Sequence, residues 1–473
     1  MTTVSDETKQ KISSWVKTHE KEYIDALIQL VNIKSVAGEA VGDHPFGDGV
    51  AKALDYVLQV SKEYGFEVEN DDYYCGSAIL PGKEIKPGIA FVGHLDVVPE
   101  GEGWSYPPYD ARVIQGQITG RGSSDNKGPA LAALFALRCV KELGFLVKHT
   151  FQVLFGCQEE CGMNDMPYYL EQHKENLPQL FLVCDCPFPI HYGEKGIMIL
   201  DLVTELSGNH IHDFHGGVVT NSVPDKAVAL LKNISFDDVT AQIRDERICV
   251  SQETDFVKVS AAGVGGHAAF PEGTVNAIGI LAEALARLEQ LDVEEKRAMQ
   301  FLARMLSKHD GSELGIAAES TEWGKNTAVG GYVTLQDNRL VQNINIRYIG
   351  STDHEAMLEQ IKRAAKEEGF WLEHVDNSAP MYMSLDSMNG LPRKILALAE
   401  ELLEMGPLKP EILAGGTHAR KLPNAIGFGP DMDTDPPCLG HAHAQDESVR
   451  LDIMERAIRV YAAAIIAIDE MLD

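Results

Sequence analysis

Histidine, aspartate and glutamate residues recur directly after short apolar segments of this 473-residue chain. His94 and Asp96 follow the apolar run 88–93, and at positions i and i+2 of an extended segment their side chains point the same way. Ligands of open α/β sheets bind beyond the carboxyl ends of the strands, so residues placed there are candidates for one common site. Imidazole and carboxylate groups together suit zinc or manganese. The candidates are His94, Asp96, Asp125, Glu159, Glu160, Asp185 and His443.

Each candidate taken alone also has a purely structural interpretation. Asp125 lies in the glycine-rich turn 120–129 just before a predicted helix, where aspartate often caps the first turn. The glutamate pair 159–160 could be a solvated loop, and either histidine of the segment 441–443 could lie on the surface. The glycine-rich turn lacks the glycine immediately before lysine that a phosphate-binding P-loop requires. The argument for a metal site is therefore the coincidence of these residues at successive strand ends.

The elements that position these residues alternate between helix and strand up to about residue 190. Apolar periodicity predicts helices over 7–32, 49–64 and 129–143. Continuous apolar runs predict strands over 88–96, 150–155 and 181–184. This alternation is typical of a mostly parallel sheet with helices on both faces.

From about residue 195 the order of elements changes. Strands are predicted over 197–205, 255–261 and 371–375, a hairpin over 332–348, and helices over 224–233, 274–291 and 353–368. Near residue 385 the first pattern resumes, with a helix over 392–405, a strand over 424–428 and a closing helix from about 447. We predict an α/β protein with a mostly parallel-sheet catalytic domain formed by 1–194 and 385–473. An α+β, ferredoxin-like lid domain, 195–384, interrupts it.

Composition narrows the classes of function. The net charge of −30 disfavours nucleic-acid binding, because such a surface repels phosphate backbones. No apolar run reaches the length of a membrane span, and the N-terminus has no basic and apolar leader, so we expect neither membrane insertion nor secretion. The eight cysteines are scattered, as expected of reduced thiols in a cytoplasmic protein, and they lack the Cys-x-x-Cys spacing of thiolate zinc sites.

Three motifs, in this order, resemble signatures of the dinuclear zinc metallopeptidase family that includes aminoacylase, carnosinase and succinyl-diaminopimelate desuccinylase. They are Gly93-His94-Leu95-Asp96-Val97-Val98-Pro99, Gly120-Arg121-Gly122-Ser123-Ser124-Asp125-Asn126-Lys127-Gly128 and Glu159-Glu160-Cys161-Gly162. Within the family the chain is most similar to bacterial dipeptidases of the peptidase V type. Matching motifs span about residues 40 to 450, which is nearly the whole chain.

The resemblance implies a role for each candidate. Asp125 would bridge two divalent metal ions, with His94 and Asp185 completing one site and Glu160 and His443 the other. His443 is preferred to His441 because the family's histidine stands three residues before Asn or Asp followed by Glu. Glu159 would be the general base, and Asp96 would orient and polarise His94. The family also implies a cis peptide bond between Asp125 and Asn126.

The resemblance extends to the predicted substrate contacts. His267, in Gly266-His267-Ala268-Ala269-Phe270-Pro271, would reach the scissile carbonyl, and Asn221 is a second candidate contact. Arg347 resembles an arginine that binds the substrate carboxylate. The loop Gly415, Gly416 and Thr417 resembles a glycine-rich substrate loop, although His418 stands where the family commonly has tyrosine.

The predicted function is that of a metal-dependent dipeptidase. Two ions would hold a bridging water that Glu159 deprotonates, and zinc fits the ligands best while manganese or cobalt would also be accepted. An N-acyl amino acid deacylase or desuccinylase would use the same site, and a catalytically inactive binding module is a third alternative. We expect a small peptide substrate and a monomer, with a dimer as the alternative arrangement in the family.

Overall fold

The computed structural model describes residues 4–84, 87–431 and 437–472. The chain divides into two compact units. The first comprises Met1–Gly193 and Tyr382–Asp473, and the second comprises Glu194–Met381. The first unit therefore holds the predicted metal ligands, and the second holds Asn221, His267 and Arg347.

The first unit is built on a sheet whose central strands run parallel. Thr150–Gly156, Pro87–His94, Leu180–Val183 and Ala425–Gly427 lie side by side in that order. Cys75–Leu80 and Glu67–Asp71 extend the sheet with antiparallel strands at one edge. The strand Leu180–Val183 is buried at every position, which explains why the central strands are continuous apolar runs. Shorter strands of the unit are Arg112–Ile114, Gln117–Thr119, Cys186–Pro187, His191–Glu194, Glu411–Leu413, Pro430–Asp431 and Ser448–Arg450.

Helices cover this sheet, and their bounds follow the predicted apolar periodicity closely. Lys127–Glu142 is buried from its first residue to Val140, as expected of a helix enclosed on all sides. The last helix begins at Leu451 rather than near residue 447, because Ser448–Arg450 first pairs with Gln117–Thr119 as a strand. The helices are Asp6–Val31, Asp48–Glu63, Lys127–Glu142, Asp165–Gln172, Ser387–Leu403 and Leu451–Asp469, with left-handed residues 388–390 interrupting Ser387–Leu403.

The second unit is an antiparallel sheet with helices packed against it. Its strand order is Ile248–Gln252, Val257–Ala262, Lys226–Leu231, Ile211–Gly216, Thr327–Gln336, Arg339–Tyr348, Gly196–Glu205 and Trp371–Ser378. Its helices are Phe236–Gln242, Ala277–Ala286, Val293–Leu306 and His354–Glu367. Short strand pairs complete it, Ser222–Val223 with Gly266–His267 and Glu319–Ser320 with Gly324–Lys325. The α/β fold class with an inserted α+β unit is confirmed.

One predicted element of the second unit is wrong. The segment 224–233 was expected to be a helix, but Lys226–Leu231 is a strand. Its alanines and leucines favour a helix by composition, yet the segment pairs on both sides, with Ile211–Gly216 and Val257–Ala262. Alternate residues are buried along it, which is the period of a strand. Pairing with two neighbours therefore overrides the local preference.

Within the described residues, no helix combines the length and the apolar composition needed to cross a lipid bilayer.

Candidate metal centre and substrate contacts

The predicted metal ligands of the first unit converge at the carboxyl end of its parallel strands. In the register of two neighbouring strands His94 lies opposite Gly156, so the segments that follow both strands start at one edge of the sheet. Ligand atoms of His94, Glu159 and Asp185 lie within 4.8 Å of one another. A second such group consists of His94, Asp125 and Glu160. The strand ends thus bring together residues that are far apart in sequence.

Asp125 lies between the two histidines of this cluster. Its Oδ1 is 3.0 Å from His94 Nε2, and its Oδ2 is 3.1 Å from His443 Nε2. His443 Nε2 is also 3.0 Å from Glu160 Oε2, and His94 Nε2 is 3.7 Å from Asp185 Oδ2. Oδ1 of Asp125 therefore faces the histidine that lies near Asp185, and Oδ2 faces the histidine that contacts Glu160. The Asp125 carboxylate is shared between these two groups of side chains.

Asp96 fixes the turn that carries the two glutamates. Its Oδ1 accepts a hydrogen bond from the Glu159 backbone N–H at 2.9 Å, and its Oδ2 accepts one from the Glu160 N–H at 3.0 Å. The His94 ring contacts the same residue, with Nδ1 2.9 Å from the Asp96 carbonyl oxygen and 3.4 Å from Oδ1. If Nδ1–H donates to that carbonyl, Nε2 keeps its lone pair for a ligand.

Glu447 organises the glycine-rich turn around Asp125. The side chain is fully buried, and Oε1 accepts hydrogen bonds from the backbone N–H groups of Gly122, Ser124 and Asp125, each at 3.1 Å. Oε2 lies 2.5 Å from Nη1 of Arg121, which is also buried. The peptide bond from Asp125 to the next residue is cis, which confirms the expectation from the family resemblance.

Replacing Glu447 with alanine is expected to destabilise the first unit strongly. The change leaves Arg121 as a buried charge without its carboxylate, and breaking such a pair costs about 3–5 kcal/mol. The measurement is the free energy of unfolding in urea, with the exposed Glu102→Ala as a matched control. A loss below about 1 kcal/mol, the value of an exposed ion pair, would contradict this role.

The cluster carries more negative than positive charge. Burial raises the pKa of Glu159 well above its usual value, and the neighbouring carboxylates of Asp185 and Glu160 raise it further. Burial likewise raises the pKa of Glu160, and with the charge of Asp125 it raises that of Asp185 to about 7. Repelling carboxylates held together beside imidazoles fit a site that divalent cations neutralise. The chemistry of the donor set therefore fits metal ions.

Asp185 should make the stability of the metal-free protein depend on pH. Its pKa is about 7 in the folded protein, against 3.8 for the ordinary group. From about pH 4 to pH 7 the folded state binds more protons than the unfolded state, so the free energy of unfolding falls as pH rises. Asp185→Asn removes this titration, and urea unfolding with chelator should show a shallower fall. The exposed Asp255→Asn should keep the wild-type slope, and an equal slope in both variants would refute the prediction.

The second unit brings two of the predicted substrate contacts together. In its short strand pair Ser222 lies opposite His267, and the Ala268 N–H donates to the Asn221 carbonyl oxygen at 2.9 Å. His267 is exposed. Arg347 is buried, with 6% of its surface exposed, and its Nε donates to Asn345 Oδ1 at 2.9 Å.

The predicted loop Gly415, Gly416 and Thr417 belongs to the first unit. Thr417 Oγ1 accepts a hydrogen bond from the Ala419 N–H at 3.1 Å and so begins the short helix His418–Lys421. A Cβ on Gly416 would lie 2.7 Å from Arg420 Nε, so a larger residue here would require the Arg420 side chain to move. His418 is buried, with Nε2 3.0 Å from Asp165 Oδ2 and its ring centroid 6.2 Å from that of His94.

Comparisons with known proteins show the family of this chain. A family model, peptidase family M20/M25/M40, matches residues 90–467. The chain belongs to this peptidase family. The resemblance stated from the motifs is confirmed, and the protein is an enzyme of the peptidase class.

Several known proteins are similar to this M20-family peptidase along nearly their whole length. The Beta-Ala-Xaa dipeptidase of Lactobacillus delbrueckii subsp. lactis is 28% identical over 456 residues, covering 90% of this chain and 91% of that protein. The solved structure of the di-peptidase Dug1p from Saccharomyces cerevisiae has a TM-score of 0.61 at 13% identity, covering 98% of this chain and 99% of that one. The Bacillus subtilis YXEP protein, described as a dinuclear metal binding peptidase, has a TM-score of 0.53 at 14% identity, with coverages of 96% and 99%. The two structures show a shared fold.

Sequence reasoning missed several residues that shape the M20-family peptidase site. Asn126 Nδ2 donates to the Cys184 carbonyl at 2.6 Å and to Asp185 Oδ1 at 3.0 Å, and its Oδ1 accepts from the His94 N–H. Asp165 accepts hydrogen bonds from the two backbone N–H groups that precede Glu159. Asn126 lies within a recognised motif and Asp165 lies close to another, but only the folded chain shows what they bind.

Proposed function

We propose that this M20-family peptidase is a metal-dependent dipeptidase that hydrolyses dipeptides with free amino and carboxyl termini. The observation that carries the proposal is the position of Asp125, whose two carboxylate oxygens face His94 and His443 at 3.0 and 3.1 Å. The relative from Lactobacillus delbrueckii, named as a dipeptidase, supports the substrate class.

Two groups of residues would each hold one divalent cation. His94, Asp125 and Asp185 form the first group, and Asp125, Glu160 and His443 form the second. Bound there, divalent cations would lower the pKa of water and polarise the scissile carbonyl. Two imidazoles and three carboxylates favour zinc, and the carboxylate-rich set also accepts manganese or cobalt.

Glu159 would act as the general base. It is buried beside the ligands, and burial raises its pKa well above its usual value, which makes the carboxylate a stronger base. It would take a proton from the attacking water and pass it to the leaving amine. Asp96 supports this role because its carboxylate binds the backbone N–H groups of both glutamates and so fixes where Glu159 lies.

The remaining predicted residues would bind the substrate. His267 would stabilise the oxyanion of the tetrahedral intermediate, with Asn221 beside it in the same strand pair. Arg347 would pair with the terminal carboxylate in a two-pronged contact. The loop Gly415, Gly416 and Thr417 would line the substrate. Carboxylates near the metal ions would hold the free α-amino group. Binding the substrate at both its amino and its carboxyl end would limit it to two residues.

The same machinery would serve an N-acyl amino acid deacylase or a desuccinylase, whose product amino acid carries the same carboxylate. A panel of dipeptides, N-acetyl amino acids and N-succinyl amino acids distinguishes these activities. The protein is stripped with chelator and assayed after addition of zinc, manganese or cobalt.

We expect dipeptides to be cleaved only after a metal is restored, with zinc the most effective, and the acyl substrates to be poor. Preference for an acyl amino acid would replace the dipeptidase assignment, and full activity after complete removal of metals would reject the mechanism. Metal binding without hydrolysis of any amide would indicate a binding module.

We further propose that the peptidase is a cytoplasmic monomer. The free cysteines are consistent with a reducing compartment, and the long insertion resembles that of the monomeric peptidase V type. Sedimentation velocity should give one species of about 52 kDa, close to the chain mass of 51.8 kDa. A species of twice this mass would favour the dimer.

A further inference from the structure

Asn345 lies on a central strand of the second unit. Its strand, Arg339–Tyr348, is paired on both sides, and Asn345 lies opposite Val329 on one neighbour and Ile199 on the other. Side chains two residues apart on a strand share one face, so Asn345 and Arg347 project together. Ile344 and Ile346 belong to the hydrophobic core on the opposite face. A central strand anchored in this way holds its side chains precisely.

Asn345 contacts the Nε edge of the Arg347 guanidinium. Arg347 Nε donates to Asn345 Oδ1 at 2.9 Å, and Asn345 is fully buried. A guanidinium is a rigid planar group, so fixing Nε fixes the plane in which both terminal nitrogens lie. Bidentate binding of a carboxylate depends on that orientation.

The surroundings of Arg347 favour an anion. Lys195 is also buried, with 8% of its surface exposed. Burial lowers the pKa of Lys195, Glu272 opposes this effect, and the charge of Arg347 lowers the pKa further. Asn345 Nδ2 is a buried donor with no hydrogen-bond partner among the described residues. A ligand carboxylate would supply an acceptor for this Nδ2 donor.

We infer that Asn345 is a positioning residue that orients the Arg347 guanidinium for the terminal carboxylate of the substrate. The inference rests on the proposed role of Arg347 and extends it to a residue that does not itself need to touch the reacting atoms. Asn345 thereby contributes to the choice of substrates that end in a free carboxylate.

The test compares a dipeptide with the same dipeptide amidated at its C-terminus. Wild-type enzyme should prefer the free acid in kcat/KM, and Asn345→Leu should lower this preference about 10- to 100-fold, the range of a hydrogen bond to a charged group. The loss should appear in KM for the acid, with little change for the amide. Asn345→Asp keeps an acceptor for Nε, but its negative charge competes with the substrate carboxylate for Arg347, so this variant should also raise KM for the acid.

Asn343→Leu is the matched control. It removes another buried amide from the same face of the strand, but one whose Nδ2 donates to Asp201 Oδ1 at 3.0 Å. This variant should lose stability while keeping the preference for the free acid. If Asn345→Leu does not fold, the smaller Asn345→Ala removes the acceptor and is judged by the same ratio of kcat/KM for acid over amide.

Arg347→Met separates failure of the inference from failure of the proposed function. If Arg347→Met abolishes the preference and Asn345→Leu leaves it intact, the positioning role is wrong and the carboxylate contact stands. If wild type shows no preference, or Arg347→Met keeps it, both the contact and the inference are overturned. Equal losses in Asn343→Leu and Asn345→Leu would also overturn the inference, because a general effect on stability would explain them.

Discussion

Replacing Glu159 with glutamine is expected to lower kcat for dipeptide hydrolysis by about 10²- to 10⁴-fold, the usual contribution of a general base. Glutamine has almost the same shape but cannot accept the proton of the attacking water. The backbone N–H of residue 159 should still donate to Asp96, since that contact does not involve the side chain. The variant should therefore keep the fold of the turn and both metal ions.

The measurement combines steady-state kinetics and metal analysis of the loaded enzyme with thermal unfolding of the same protein after its metals are removed with chelator. The exposed Glu175→Gln in the same unit is the matched control and should keep wild-type kcat. Because burial raises the pKa of Glu159, its charge is costly in the metal-free protein, so Glu159→Gln should unfold at the same or a higher temperature. Near-normal kcat with a full metal content would reject Glu159 as the base.

Replacing Asp125 with alanine should remove both metal ions and reduce kcat/KM by at least about 10³-fold, or about 4 kcal/mol of transition-state stabilisation. The reason is the shared carboxylate, since its two oxygens face the two histidines at 3.0 and 3.1 Å. Elemental analysis after dialysis against limiting zinc gives the number of ions bound per chain.

Two further variants serve as the comparison for Asp125→Ala. Asp185→Ala alters only the first ligand group, which contains His94, and His443→Ala alters only the second, which contains Glu160. Each variant should therefore bind one metal ion more weakly and keep its affinity for the other. If Asp125→Ala kept one ion at wild-type affinity, the carboxylate would belong to a single site and the bridging role would be wrong.

The strand ends explain why much of the site could be predicted from sequence. The apolar runs ending near His94 and before Asp185 are short and continuous, and the carboxyl ends of parallel strands meet at one edge of a sheet. The choice of His443 over His441 needed the family motif, because spacing within the loop did not separate them. In the structure His443 is the histidine that contacts Asp125 and Glu160.

The supporting residues could not be predicted in the same way. Glu447 binds backbone N–H groups more than 300 positions away, with a separation of 322 residues to Asp125. The family motif that selects His443 also contains Glu447, but in a chain with 71 acidic residues the local sequence does not show that its side chain is buried or what it binds. The conformation of Lys226–Leu231 could not be predicted for the same reason. It is a strand because it pairs with two neighbouring strands, and the local sequence does not show that pairing.

The most direct test is anomalous diffraction from crystals of the zinc-loaded protein. We expect two zinc peaks, one contacted by His94, Asp125 and Asp185 and the other by Asp125, Glu160 and His443. A single peak, or two peaks of which only one contacts Asp125, would contradict the shared carboxylate on which the proposed mechanism depends.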